Sequence, residues 1–148
     1  MKIIEILNNK KDYMPLLLLG DESEKMIDKY IARGRMFVLF DDEPKAICVV
    51  TDEGNDILEI KNIAVEENAQ KQGYGKKLME FITDQFKDNY SIIQAGTGDS
   101  PLTVPFYEKC GFTRSHSIKN FFTDNYEHPI IEDGVQLVDM IYFQKKIR

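Results

Sequence analysis

Apolar residues fall into short runs separated by polar, glycine-punctuated breaks. The opening run "MKIIEIL" is rich in β-branched residues and predicts a strand. In "EKMIDKYIARG", Met26, Ile27, Tyr30 and Ile31 recur at helical spacing, with Gly34 as a stop. "MFVLF" and "KAICVV" predict two strands joined by a hairpin turn at "DDEP". "DILEIKNIAV" predicts a fourth strand after the turn "DEGND". Beyond Gly75 the pattern changes to a helix, with Leu78, Phe81, Ile82 and Phe86 on one face and Lys76, Lys77, Glu80, Asp84 and Lys87 on the other. "SIIQAGT" predicts a fifth strand, and "PFYEKC" a short helix closed by Gly111. Pro105 requires that helix to begin just before it, where the backbone N–H groups lack internal partners anyway. "FTRSHSIKNFF" and "VQLVDMIYFQKKI" complete the set as two strands. The order is strand, helices, three strands, helix, strand, helix, strand, strand, an α+β pattern around one mixed sheet.

No repeat, low-complexity segment or linker composition divides residues 1–148, and that length favours one domain. Apolar residues at 43% with 30% charged residues suit a globular protein with one sizeable core. The net charge of −6 disfavours nonspecific nucleic-acid binding and suits cationic small molecules better. No apolar run has membrane-spanning length, and the N-terminus lacks a signal-peptide layout, so a cytoplasmic location without membrane association is expected. Cys48 and Cys110 stand far apart and read as reduced thiols, mostly buried. His116 and His128 make no metal-ligand spacing, so no metal is expected.

The chemistry concentrates at "QKQGYG", residues 70 to 75, between the fourth strand and the long helix. Gly73 and Gly75 offer backbone amides that a phosphate can approach closely, at the positive end of a helix. Lys71, Lys76 and Lys77 add formal charge. A tight strand-to-helix turn that needs glycine for geometry alone explains the same residues. The P-loop pattern is absent, and the dinucleotide fingerprint lacks its third glycine and its place near the first strand.

Gln70, Gly73 and Gly75, followed by Phe106, Tyr107, Gly111 and Phe112 in "FYEKCGF", resemble the signature blocks of the GNAT superfamily of acetyl-CoA-dependent N-acetyltransferases. The likeness is carried by residues 35 to 113 and elsewhere by element order. It implies a mixed, mostly antiparallel sheet of about seven strands with flanking helices, splayed between strands four and five. It implies acetyl-CoA as cosubstrate, its pyrophosphate on the amides of Gln72, Gly73, Tyr74, Gly75 and Lys76, with Gln70 and Lys71 alongside. The pantetheine arm would run beside Ile63, Ala64 and Val65, and the Val65 amide would face the developing oxyanion. The pattern departs at Ser100, where many members carry a cofactor-binding Asn, and at Thr103, where Ala is usual.

An amine acceptor must lose a proton to attack the thioester. For a lysine-like amine of pKa about 10.4 this costs about 4.6 kcal/mol at pH 7, so a base helps. Glu59 lies eleven residues before Gln70, where some members of the family place a catalytic glutamate. Strand alternation predicts it on one face with Lys61, Ile63 and Val65. A solvated glutamate paired with Lys61, with water as the base, fits equally well. By the same resemblance Tyr107 would protonate the departing thiolate, while a packed core tyrosine is the plain alternative.

Between Phe112 and Val135 the chain is rich in aromatics and acids, including Phe121, Phe122, Asp124, Tyr126, Glu127, Glu132 and Asp133. Carboxylates beside aromatic faces suit an ammonium group, which makes Phe121, Asp124 and Tyr126 the candidate acceptor contacts. A solvated loop over an aromatic base is the alternative. Asp12, Asp21 and Glu22 are further candidates. The expected acceptor is the primary amine of a small cationic molecule. A protein tail or N-terminus, and a non-catalytic acyl-CoA-binding module, stay open, as does a homodimer.

Overall fold

The computed structural model describes all residues from Met1 to Arg148. Its strands and helices follow in the order β1 (Lys2–Ile6), α1 (Met14–Gly20), α2 (Glu24–Asp28), β2 (Arg35–Asp41), β3 (Glu43–Asp52), β4 (Ile57–Val65), α3 (Tyr74–Phe86), β5 (Ile92–Gly98), α4 (Val104–Lys109), β6 (Thr113–Ile118), α5 (Phe121–Asn125), β7 (Ile131–Glu132), β8 (Val135–Gln136) and β9 (Met140–Lys146). Seven strands form one sheet in the order β1-β2-β3-β4-β5-β9-β6, and β7 and β8 form a separate small hairpin. All neighbours in the large sheet are antiparallel except β4 and β5. The expected mixed sheet is therefore present. No helix is long and apolar enough to cross a membrane.

The apolar runs of β2 and β3 are continuous because both sheet faces are covered. Phe37, Leu39, Ala46, Cys48 and Val50 face α3 and α4, where they meet Leu78, Ile82, Phe86 and Tyr107. Met36, Val38, Ile47 and Val49 face the other way, onto Leu16, Leu17, Ile27 and Ile31. A small third cluster, Phe122, Ile130 and Leu137, lies under the C-terminal hairpin. The predicted face of α3 is buried as expected, with Met79 added and Phe81 half-exposed. Burying each such side chain contributes about 1.5–3 kcal/mol.

Three local expectations are revised. The helix across residues 24–34 stops at Asp28, and turns carry the chain onward to Gly34. Ser23 caps its start, accepting the Met26 N–H at 3.2 Å. The long connection before β9 carries its own structure, α5 and the β7–β8 hairpin. Finally, the pairing of β3 with β4 slips at Val49/Val50, so that Val49 faces Asn62 and Val50 faces Ile60, leaving Lys61 as the extra residue.

Candidate active site

β4 and β5 pair only from Ile57–Ile60 to Ile92–Ala95, yet β4 continues to Val65 and β5 to Gly98. Beyond Ile60 the two strands leave an opening inside the sheet. On its other edge β4 stays paired with β3, and the Glu66 N–H reaches Lys45 O at 2.8 Å. Antiparallel alternation then turns the backbone groups of Ile63 and Val65 toward the opening and those of Ala64 toward β3. The Gln70 side-chain amide donates to Val65 O at 3.2 Å, tying the glycine turn to the end of β4. The Ala64 side chain is packed in the cluster beside α1.

Lys71 and Gly73 both adopt positive φ, 64° and 86°, so the turn folds back and starts α3 with Gly73 as its N-cap. None of the amides from Gln72 to Lys76 finds a partner in the protein, and the first to do so is Lys77, bonded to Gly73 O at 3.0 Å. The helix therefore presents a row of free donors at its positive end. A Cβ on Gly73 would meet nothing within 4 Å. Gly75 is different: a Cβ there would come within 3.1 Å of Phe106 Cε1. Its small size serves helix packing. The Tyr74 hydroxyl donates to Asp41 Oδ2 at 2.6 Å, so its side chain is anchored away from the free amides. The side chains of Lys71, Gln72 and Lys76 are exposed.

Tyr107 is 5% exposed, enclosed by Phe106, Phe112 and Phe143 with ring centroids 5.4–5.7 Å away. Its hydroxyl makes no hydrogen bond to the protein, and the one sealed, unpartnered side-chain polar atom is elsewhere, Asn62 Oδ1. The phenol tip thus borders open space while its ring is fixed. Burial pushes its pKa well above the usual tyrosine value, reinforced by Cys48, Cys110 and Glu132, so it stays protonated at neutral pH. Ser100 is buried, and its hydroxyl accepts the Leu102 N–H at 3.1 Å ahead of α4. Thr103 shares a 2.6 Å hydrogen bond with Thr97.

Glu59 is 5% exposed, and strand alternation misplaces it. The extra residue at Lys61 reverses the faces, so Ile63 and Val65 pack on the α3 side with Leu58 and Ile60, whereas Glu59 shares the α1 side with Asn62 and Ala64. There its carboxylate pairs with Lys61 Nζ and accepts from Gln94 Nε2 at 2.6 Å. It is a buried, doubly held group, unlike the solvated strand glutamate considered from sequence.

The three acceptor candidates separate. Tyr126 donates to Asp21 Oδ1 at 2.8 Å, linking the chain after α5 to the α1–α2 junction. Asp21 also accepts from the Tyr30 hydroxyl at 3.2 Å, and Tyr30 accepts from Asn62 Nδ2 at 3.1 Å. Burial raises the Asp21 pKa against the opposing pull of Tyr126, Ser23 and Tyr30. Glu132 is raised as well, first by burial and then by Glu22, with Ser100 pulling it down. Phe121 is half-buried, edge-on to Phe122 at 5.3 Å. Asp124 is exposed, and its side chain meets no partner. Sequence reasoning missed Tyr30, Asn62, Gln94 and Gln144. The signal was a polar residue inside an apolar run, as with Asn62 in "ILEIKNIAV" and Gln94 in "SIIQAGT". No group of three or more His, Cys, Asp or Glu side chains is arranged to hold a metal ion.

An opened parallel strand pair within a mixed seven-stranded sheet, followed by a row of free amides at the next helix, is the arrangement of an acyl-CoA-dependent transferase of the GNAT type. Residues 32–114 match the acetyltransferase (GNAT) domain model. The chain belongs to this family and is an acetyl-CoA-dependent N-acetyltransferase. It is 36% identical over 129 residues to the uncharacterized N-acetyltransferase YvbK of Bacillus subtilis (strain 168), covering 85% of this chain and 83% of YvbK. A GNAT family acetyltransferase from Elizabethkingia anophelis, solved with acetyl-CoA bound, superposes with a TM-score of 0.92 at 34% identity, covering 98% of this chain and 97% of that one. The IAA acetyltransferase from Bacillus cereus ATCC 14579 gives a TM-score of 0.91 at 34% identity, with 98% of each chain covered.

Proposed function

We propose that the protein transfers the acetyl group of acetyl-CoA directly to the primary amine of a small cationic acceptor in the cytoplasm, acting as a single domain. The observation that carries the choice of acceptor is the approach of carboxylates from two separate elements. Asp21 and Glu22 come from the α1–α2 junction and Glu132 from β7. Glu22 is felt by both Glu132 and Tyr126, and Glu132 by Tyr107. Half-buried Asp21, and half-buried Glu132 with exposed Glu22 repelling it, are groups whose charged forms a bound ammonium would favour. Tyr126 and Phe121 supply aromatic faces beside them; exposed Asp124 adds long-range attraction only.

In this mechanism the free amides of Gln72 to Lys76 take the pyrophosphate, and the cosubstrate's pantetheine arm completes the open edge of β4 at Ile63 and Val65. Glu59 accepts the proton of the incoming ammonium. The amine nitrogen bonds to the thioester carbon, and the carbonyl oxygen gathers charge facing the Val65 N–H. The carbon–sulfur bond then breaks, the thiolate takes its proton from Tyr107, and the second proton shed by the nitrogen as the amide forms returns through water to the Tyr107 oxygen. Thiol release should be measured with polyamines, aminoglycosides, amino acids and basic peptides. A best acceptor that is a small polycation, captured less well as ionic strength rises, is expected. An uncharged best acceptor refutes the choice, and strong preference for a peptide moves it to a protein tail.

A further inference from the structure

Glu59, Gln94 and Gln144 occupy one row across three strands, Glu59 opposite Gln94 and Gln94 opposite Gln144. Gln94 Nε2 donates to Glu59 Oε1 at 2.6 Å, and Gln94 Oε1 accepts from Gln144 Nε2 at 3.0 Å. A primary amide has one accepting and one donating end. Once Gln144 claims the oxygen of Gln94, its nitrogen must face Glu59. The row therefore has a direction: each amide donates toward β4, and the last donor ends on a carboxylate oxygen. Such a row commits Oε1 to accepting and leaves Oε2 outside it.

We infer that Gln94 and Gln144 are positioning residues for acetyl transfer, reserving Oε1 of Glu59 as a fixed acceptor so that Oε2 takes the proton of the acceptor ammonium. This rests on the role of Glu59 as base. Oε2 now faces Lys61, whose side chain is 23% exposed and has to give way for an ammonium to reach that oxygen. One proton passes from the acceptor nitrogen to Oε2, and Lys61 keeps its own. The other charged or titratable neighbours are Tyr142, Glu53 and His116. The Tyr142 phenol is pushed up to about 12 by burial and then by Glu59 and Glu53. Glu53 is paired with Arg33 at 2.9 Å, and the His116 ring is stacked on Tyr142 at 4.7 Å. Helix α1, packed against β4, is "MPLLLLG" and contributes no charge.

The test uses Gln94→Met, which keeps length and removes the amide, and Gln144→Met, which leaves Gln94 in place but free to rotate. Two quantities are read in each: the Glu59 carboxyl midpoint by carbon-13 NMR titration, and the acid limb of kcat against pH. Losing a hydrogen bond to the charged form should raise the midpoint by about one unit or more in Gln94→Met. A smaller rise in the same direction is expected for Gln144→Met, with the acid limb following both. A midpoint unmoved in both folded variants overturns the inference. A midpoint that moves while the rate profile stays put leaves the hold of the row on Glu59 standing and instead removes Glu59 as the base.

Discussion

Replacing Tyr107 by Phe separates chemistry from packing, because the ring and the hydroxyl do different things. The ring is clasped by Phe106, Phe112 and Phe143, and Phe keeps all three contacts. The hydroxyl has no hydrogen-bond partner in the protein, so its removal breaks nothing internal and strands no buried group. Stability should change by less than about 0.5 kcal/mol, or about 2 °C in Tm for a chain of this size. Catalysis should respond differently. Loss of a general acid costs about 10²-fold in kcat, equivalent to about 2.7 kcal/mol of transition-state stabilisation. Acetyl-CoA affinity should hold, since a contact made only in the transition state lowers kcat and kcat/KM together. A raised pKa also means that Tyr107 cannot produce an alkaline limb near neutrality. Thiol release in steady state and single turnover, with calorimetric acetyl-CoA binding and a melting curve, covers every term. An unchanged single-turnover rate in the stable variant would falsify the acid role and leave Tyr107 as a core residue.

Gly73→Val should weaken acetyl-CoA binding at least tenfold by calorimetry, with a folding cost of about 1–2 kcal/mol from the positive φ; wild-type affinity would remove the pyrophosphate from this turn. Gly20→Ala should destabilise by about 2–4 kcal/mol, because its Cβ would overlap Asn62 Oδ1 while Asn62 Nδ2 is held by Leu17 O and Tyr30. In an Asn62→Ala background most of that cost should vanish, and simple additivity in denaturant titrations would show that the overlap is not its source. Asp21 has a raised folded-state pKa, so the folded state binds its proton more tightly than the unfolded chain does. The stabilisation this gives is complete below the unfolded value and lost as pH rises through the folded one. Asp21→Asn should therefore gain stability relative to the unmodified protein between about pH 4 and pH 7. A difference constant across that range would contradict the assignment.

Most of the framework was legible because burial on both faces leaves continuous apolar runs, as in β2 and β3, and a one-faced helix leaves a 3.6-residue pattern, as in α3. The glycine turn was legible as a donor site, but not that Gly75 is small to admit Phe106, a contact between residues thirty-one apart in sequence. Glu59 was found by position and assigned to the wrong face, since one extra residue at Lys61 inverts the alternation and a bulge has no period to read. The C-terminal segment was recognised by composition, yet composition cannot tell the anchored Tyr126 from exposed Asp124. That difference is set by Asp21, 105 residues away.

The opening between β4 and β5 divides the sheet into unequal panels, β1–β4 and β5-β9-β6, bridged by four residue pairs. Within the sheet the panels are joined only by this short seam, while a shared core, with Tyr107 stacked on Phe143, packs across one face of it. Opening of the seam should cost less than global unfolding, and amide exchange should show the panels protected to different degrees. A cosubstrate lying along the gap would act as a splint across it. At a hundredfold excess over Kd such a ligand adds about 2.7 kcal/mol to the bound form, enough to raise Tm by about 5–10 °C. The molecule would then be mechanically most cohesive while loaded and loosest just after the product leaves, the moment at which the next cosubstrate has to enter.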